Sequence, residues 1–129
     1  MKKRHLVFDF LALSILLVVT ACKPKTIFNK QALAGHWVSK EDQLTLKKNG
    51  KISGKFLNKS MNDCIWSIGD TLAGAENTKN TSGEYFAIIC KKENRVYAFH
   101  IDAFQNNQLI LNYVIWGKRF VFEGSDLIS

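Results

Sequence analysis

Residues 43–57 read QLTLKKNGKISGKFL, and this stretch decides the fold class of the chain. Leu44 and Leu46 alternate with polar residues, and Ile52 and Phe56 belong to a second alternating run after a polar segment that contains Asn-Gly. A period of two residues is that of a half-buried β-strand, in which successive side chains point to opposite faces. The stretch therefore predicts a β-hairpin with its turn at the Asn-Gly pair.

The length of the hairpin loop follows from the apolar face. A two-residue Asn-Gly loop would place Leu46 opposite Ser53 and put apolar side chains on both faces. A three-residue loop, residues 48–50, places Leu46 opposite Ile52 and leaves one face uniformly apolar. Because a buried face specifies the register, we predict the three-residue loop, with Gly50 in the left-handed conformation.

The same period of two recurs in several other stretches of the chain. Residues 31–33 are expected to form one helical turn, and residues 73–83, which have no period, the longest loop. We predict an all-β fold, either a small antiparallel eight-stranded barrel or a strongly curved meander sheet, because closure removes exposed strand edges. The eight predicted strands are Trp37–Lys40, Gln43–Lys47, Lys51–Leu57, Cys64–Ile68, Tyr85–Lys91, Val96–Phe104, Leu109–Trp116 and Arg119–Glu123.

The first 21 residues have the composition of an export signal. A cationic head at residues 2–4 precedes twelve apolar or small residues, 10–21, which are too few to cross a bilayer of about 30 Å as a helix. The segment ends in Val19-Thr20-Ala21-Cys22, which resembles the lipobox of bacterial lipoproteins. The alternative is a free thiol on Cys22 at the end of an uncleaved membrane helix.

The lipobox resemblance implies a position in the cell. Residues 1–21 would be a signal peptide, Cys22 would carry a diacylglycerol and an acyl group, and residues 22–30 would form a tether to a domain of residues 31–129. Several acyl chains make a firm membrane anchor. Lys23 after the cysteine implies, by the sorting pattern of that family, the outer membrane with the domain facing the periplasm.

Two further motifs resemble lipocalins and small lipocalin-like lipoproteins. Residues 33–37 read LAGHW and match the Leu-x-Gly-x-Trp opening, and residues 66–72 match a later Trp-x-Ile-x-Asp-x-Leu strand. The resemblance implies a lipocalin-like barrel in which Gly35 and Trp37 close one end and Trp37 packs on a basic residue of the last strand, here Arg119. The chain is shorter than lipocalins and lacks their middle motif, so we expect a filled interior.

Besides Cys22, the chain contains Cys64 and Cys90. Export would place this pair in an oxidising compartment, which favours a Cys64–Cys90 disulfide over two buried thiols. Two isolated cysteines lack the close ligand spacing of zinc sites, so we expect no metal.

The charge of the chain is unevenly distributed. Residues 22–129 carry fifteen basic and ten acidic side chains, a net charge of +5, and the surplus lies in residues 23–59, with nine lysines and two acids. The basic end is either a solvated surface or a region attracted to anionic lipid head groups or an acidic partner. Nucleic acid is a poor candidate for a partner, because a domain predicted to be exported does not normally meet it and the sequence has no aromatic-rich basic motif.

We predict no enzymatic activity, no catalytic residues and no cofactor. His36 and His100 are the proton carriers left after removal of the signal, and we expect both to be structural, with His100 beside Asp102. No Ser or Cys lies in a nucleophile-elbow context, and no pair of carboxylates or cluster of metal ligands stands out.

Three functions fit these expectations. The first is a protein-binding module that uses the loops at 58–63 and 73–83. Such a module would be an inhibitor of an envelope-targeting enzyme or an immunity protein against a toxin. The second is a lipocalin-like carrier or sensor of a small apolar ligand. The third is a structural lipoprotein of envelope assembly. In a carrier, the ligand-binding site would be lined by Trp66, Tyr97, Phe99, Tyr113 and Ile115.

Overall fold

A computed structural model describes residues 26–125 of the chain. The predicted signal peptide, the predicted lipidation site Cys22, Lys23 and the first part of the predicted tether lie outside these residues.

The described chain is mostly β-strand. Its elements are β1 (Phe28–Asn29), α1 (Lys30–Leu33), β2 (Gly35–Val38), β3 (Gln43–Leu46), β4 (Ile52–Phe56), β5 (Lys59–Ser60), β6 (Ile65–Gly69), a 3-10 helix (Gly74–Glu76), β7 (Ser82–Gly83), β8 (Tyr85–Cys90), β9 (Arg95–Gln105), β10 (Gln108–Tyr113) and β11 (Lys118–Gly124). The single turn of α1 matches the helical turn that was expected at residues 31–33.

Nine strands form one antiparallel sheet in the order β5-β4-β3-β2-β11-β10-β9-β8-β6. The sheet curls strongly into a half-barrel, and a bridge between Lys51 and Ile65 connects its two sides. The all-β prediction is therefore confirmed. The predicted number of eight strands is too small, because β5 has two residues and its pairing with β4 leaves no periodic pattern in the sequence.

The hairpin of β3 and β4 has the predicted register. Leu46 lies opposite Ile52, and Gly50 adopts a φ of +90° in the three-residue loop. Leu44, Leu46 and Ile52 are all buried, as expected of one apolar face. Leu44 lies opposite Gly54, whose φ of +111° and close approach to the backbone of Gln43 require a glycine.

Aromatic rings fill the interior of the curled sheet. Phe56 lies at its centre, with ring centroids 5.5 Å from Phe99 and 5.0 Å from Phe120. Phe86 contacts Phe99 at 5.7 Å, and Trp66 contacts Phe86 at 5.9 Å. All five rings are buried. Two of the predicted ligand-lining residues, Trp66 and Phe99, thus belong to a packed core, in agreement with the expectation of a filled interior.

The predicted disulfide is confirmed. Cys64 and Cys90 are joined at an S–S distance of 2.02 Å, where Cys64 directly precedes β6 and Cys90 ends the adjacent strand β8. The bond lies at the same end of the sheet as the turn between β8 and β9.

The opposite end is covered by the first residues of the described chain. β1 pairs with β7, and the backbone N–H of Lys30 donates to the carbonyl of Thr81. Leu33 is fully buried, and its carbonyl accepts a hydrogen bond of 2.9 Å from Nε1 of Trp37. Residues 73–83, predicted to be a long loop, instead contain the 3-10 helix, which packs on β6 and β8, and β7, which pairs with β1.

The predicted packing of Arg119 on Trp37 is wrong. β11 pairs with β2 so that Gly124, not Arg119, lies opposite Trp37. The ring of Trp37 contacts Phe104 edge-on at 5.8 Å. Arg119 lies on the outer face with its side chain 66% exposed, and its Nε is 3.4 Å from a carboxylate oxygen of Asp102.

Candidate interaction surface

The turn between β10 and β11 exposes three consecutive large apolar side chains. Val114 is 41%, Ile115 71% and Trp116 62% exposed. The turn is closed by a 2.8 Å hydrogen bond from the N–H of Gly117 to the carbonyl of Tyr113, and Gly117 adopts a φ of +63°. Three such residues in a row at the tip of a hairpin are unusual on a surface in contact with water.

The position of this turn contradicts the prediction that Ile115 lines a ligand-binding site. β10 ends at Tyr113, whereas the predicted strand continued to Trp116. The alternation would have carried Ile115 to the same inward face as Tyr113. Because the chain turns at residues 114–117, Ile115 points to the exterior instead.

A cleft of about 420 Å³ lies beside the turn. It is lined by Leu57, Lys59, Arg95, Val96, Tyr97, Tyr113 and Trp116. Val96 adds a further exposed apolar side chain. We refer to residues 114–116, Val96 and this cleft as the tip surface.

Aromatic contacts connect the tip surface to the core. The ring of Trp116 packs edge-on against Tyr113 at 5.0 Å. Tyr113 in turn lies 5.2 Å from Phe99 and 6.2 Å from Tyr97. Burial raises the pKa of the Tyr113 phenol, and the neighbouring Tyr97 adds to this rise. The exposed indole is therefore supported by a ring whose other side belongs to the packed interior.

Cationic side chains surround the apolar part of the tip surface. Lys59 and Arg95 line the cleft, and Lys118 follows the turn, with its Nζ 5.1 Å from the ring centroid of Phe120. A side-chain hydrogen bond with Tyr97 raises the pKa of Arg95. The acid next to this rim, Glu93, lies 4.0 Å from Nε of Arg95. The rim favours a partner that carries negative charge.

The tip surface and the N-terminal segment lie at opposite ends of the sheet. β11 begins at Lys118, directly after the tip, and ends at Gly124, which pairs with Trp37 near the start of β2. The seven residues of β11 span roughly 23 Å at about 3.3 Å per residue. The described chain therefore enters at the end away from the tip.

The loops predicted to bind a partner do not lie together. Lys59 of the loop at 58–63 lines the cleft of the tip surface, but Met61 of the same loop is buried. Residues 73–83 lie at the opposite end, where β7 pairs with β1 of the N-terminal segment. Of the predicted ligand-lining residues, Tyr97 and Tyr113 border the cleft.

The two histidines have structural partners on the sheet. Nδ1 of His36 lies 2.8 Å from Oγ1 of Thr45, and Nδ1 of His100 lies 2.7 Å from Oδ1 of Asp102, the neighbour expected from the sequence. Nε2 of His100 is 3.7 Å from a carboxylate oxygen of Glu84. Within residues 26–125, no group of three or more His, Cys, Asp or Glu side chains is placed to hold a metal ion.

Sequence reasoning missed the apolar turn. The signal available was the unbroken run Val114-Ile115-Trp116 directly before Gly117, where an alternating strand would have placed a polar residue. Such a run is also compatible with a strand buried on both faces, which is why the pattern alone did not distinguish the two.

Comparison with known proteins gives no family for this chain. No protein-family model, no curated protein and no solved structure matches it. Among the residues that the structure describes, none of the helices has both the length and the apolar character needed to span a membrane.

Proposed function

We propose that this chain is a membrane-anchored, non-enzymatic protein-binding module that faces the periplasm and contacts its partner through the tip surface. The exposed run at residues 114–116, supported by Tyr113 and bordered by cations, carries the proposal. Aromatic residues and arginine are enriched at the energetic centres of protein interfaces. The tip combines both around one cleft.

The position of the tip surface suits a tethered protein. An anchor on Cys22 would hold the end of the sheet at which the described chain enters. The tip surface, at the other end, would then point away from the anchoring membrane. A partner in the periplasm would meet the apolar turn first.

The charge of the domain limits the class of partner. Residues 22–129 carry a net charge of +5, and the rim of the tip adds local positive charge from Lys59, Arg95 and Lys118. A cationic enzyme such as a typical lysozyme would be repelled. An inhibitor or immunity role against an acidic or neutral envelope-targeting enzyme or toxin fits this charge.

Affinity capture tests the proposal. The oxidised domain of residues 23–129 is used to capture proteins and lipids from envelope extract, in parallel with an Ile115→Ser/Trp116→Ala variant. We expect one stoichiometric protein with the wild-type domain and at least tenfold less with the variant. Equal capture by both domains, or no captured protein, would contradict the proposal.

A second function, the carrier or sensor of one small apolar ligand, is supported by the cleft itself. Tyr97 and Tyr113 line it beside Leu57 and Val96, so an apolar molecule could be bound there although the interior is filled. A small apolar molecule that copurifies with the wild-type domain in the absence of a protein would favour this function.

A further inference from the structure

The curled sheet opens between β2 and β11. The two strands pair at Val38 with Glu123 and at Trp37 with Gly124. Beyond Val38 the chain turns away towards β3, with the N–H of Ser39 donating to the carbonyl of Asp42 at 2.8 Å. β11 continues in the other direction to Lys118 without β2 beside it. A groove of about 950 Å³ separates residues 38–42 from residues 118–121, and we call it the slot.

The backbone of β11 presents unpaired groups to the slot. At the end of β11 the N–H of Gly124 donates to Asn107, on the β10 side, and the N–H of Ser125 donates to His36, on the β2 side. Because backbone groups alternate along a strand, those of Arg119 and Val121 point towards the slot. β10 lies beside these two residues on the other side, but on the slot side no strand among residues 26–125 pairs with them.

We infer that the slot binds an extended peptide segment of a partner protein as an added strand beside β11. The N–H and C=O groups of Arg119 and Val121 can form four backbone hydrogen bonds with such a strand. Residues 39–42 form the opposite wall of this groove. The sheet of a second copy of this chain would collide with that wall, so the occupant is a lone peptide.

The side chains around the slot define the peptide. Phe120 is buried and faces inward, whereas Arg119 and Val121 face outward. A peptide residue opposite Phe120 therefore points inward and is expected to be apolar. Lys118 and Arg119 make one end of the slot basic, and Glu123 makes the other end acidic.

An antiparallel arrangement gives the peptide a direction. Its amino-terminal end then lies towards Glu123, and its carboxyl-terminal end lies beside Lys118 and Arg119. An acidic residue opposite Arg119 would compete with Asp102, whose contact of 3.4 Å with Arg119 lies on the exposed face. The slot therefore selects a segment of about five extended residues, at about 3.3 Å each, with an acidic residue near its carboxyl-terminal end.

This inference goes beyond the proposed function, because the slot and the tip surface are different sites with different ligand chemistry. The tip presents apolar side chains, whereas the slot presents backbone hydrogen-bond groups. One partner could engage both, since Lys118 borders each of them.

Nuclear magnetic resonance of the ¹⁵N-labelled full-length protein tests the inference. The probe is the synthetic peptide acetyl-Val-Thr-Val-Glu-Val-amide, added up to low millimolar concentration, with Thr intended opposite Val121 and Glu opposite Arg119. We expect the amide signals of Arg119 and Val121 to shift and their hydrogen exchange to slow by tenfold or more. A peptide with Lys in place of Glu is expected to bind two- to fivefold more weakly.

Matched methylation of the peptide separates strand addition from other binding. An N-methyl group on the Thr removes a donor that faces β11, whereas an N-methyl group on the central Val lies on the edge that faces away. We expect the first to abolish the shifts and the second to leave them. A Val121→Pro protein, which loses the corresponding donor at an edge position, should not respond to any of the peptides.

The inference would be overturned by shifts confined to other residues, such as those of the tip surface. Equal binding of the two methylated peptides, or no shift at the highest concentration, would overturn it as well. None of these outcomes depends on whether the tip surface binds a protein, so the failure of one proposal is distinguishable from the failure of the other.

Discussion

Removal of the Cys64–Cys90 disulfide should cost this domain a large part of its stability. The two cysteines are 26 residues apart, and a crosslink over that distance lowers the entropy of the unfolded chain by an amount worth about 3.5 kcal/mol. For about 100 ordered residues, the unfolding entropy at the melting temperature is roughly 0.2 kcal/mol per kelvin. The double variant Cys64→Ala/Cys90→Ala should therefore melt about 17 °C below the wild type.

Urea denaturation followed by circular dichroism measures the same loss as a free energy. The denatured state without the crosslink is less compact, so the variant should also show a steeper dependence on urea. A reductant should destabilise the wild type and leave the variant unchanged. A loss of less than about 1 kcal/mol, or an equal response of both proteins to the reductant, would refute the crosslink as a main source of stability.

Three further changes test individual contacts of the fold. Gly54→Ala should destabilise the domain by about 3 kcal/mol or more, measured by urea denaturation, because its Cβ would collide with the backbone of Gln43. Trp37→Phe removes the hydrogen bond to the Leu33 carbonyl and should cost about 1–3 kcal/mol in the same assay, and an unchanged midpoint would contradict the role of this bond. Burial raises the pKa of Tyr113 in the folded protein. The neutral Tyr113 phenol therefore contributes fully to folding stability below the unfolded-state pKa of about 10, and this contribution is lost as the pH rises through the folded-state pKa. In an ultraviolet titration, Tyr113→Phe should lose one phenol ionisation step above the usual tyrosine pKa.

The parts of the fold that follow from local pattern were predictable from the sequence. The alternation around Asn49-Gly50 determined the loop length and the register of the β3–β4 hairpin, because only one register buries all the apolar side chains together. Two remaining cysteines in a domain predicted to be exported left one plausible crosslink. The hairpin register depends on neighbouring residues and the disulfide on the small number of cysteines, and both can be read from a single sequence.

The parts that depend on distant pairing were not predictable in the same way. The expected contact of Arg119 with Trp37 required the register of β11 against β2, which no local pattern specifies. The end of β10 at Tyr113 was missed because the apolar run at residues 114–116 continues the composition of the strand. The tip surface and the slot both arise from where strands stop pairing, and that is set by the curl of the whole sheet.

Photocrosslinking from position 116 in living cells tests the central claim most directly. A benzophenone amino acid replaces Trp116 in the full chain, and a matched variant carries it at the exposed Lys48, in the β3–β4 loop. If the tip surface binds a protein, light should produce one defined protein adduct from position 116 and none of the same mass from position 48. Lipid adducts alone, or identical products from both positions, would contradict a protein-binding tip.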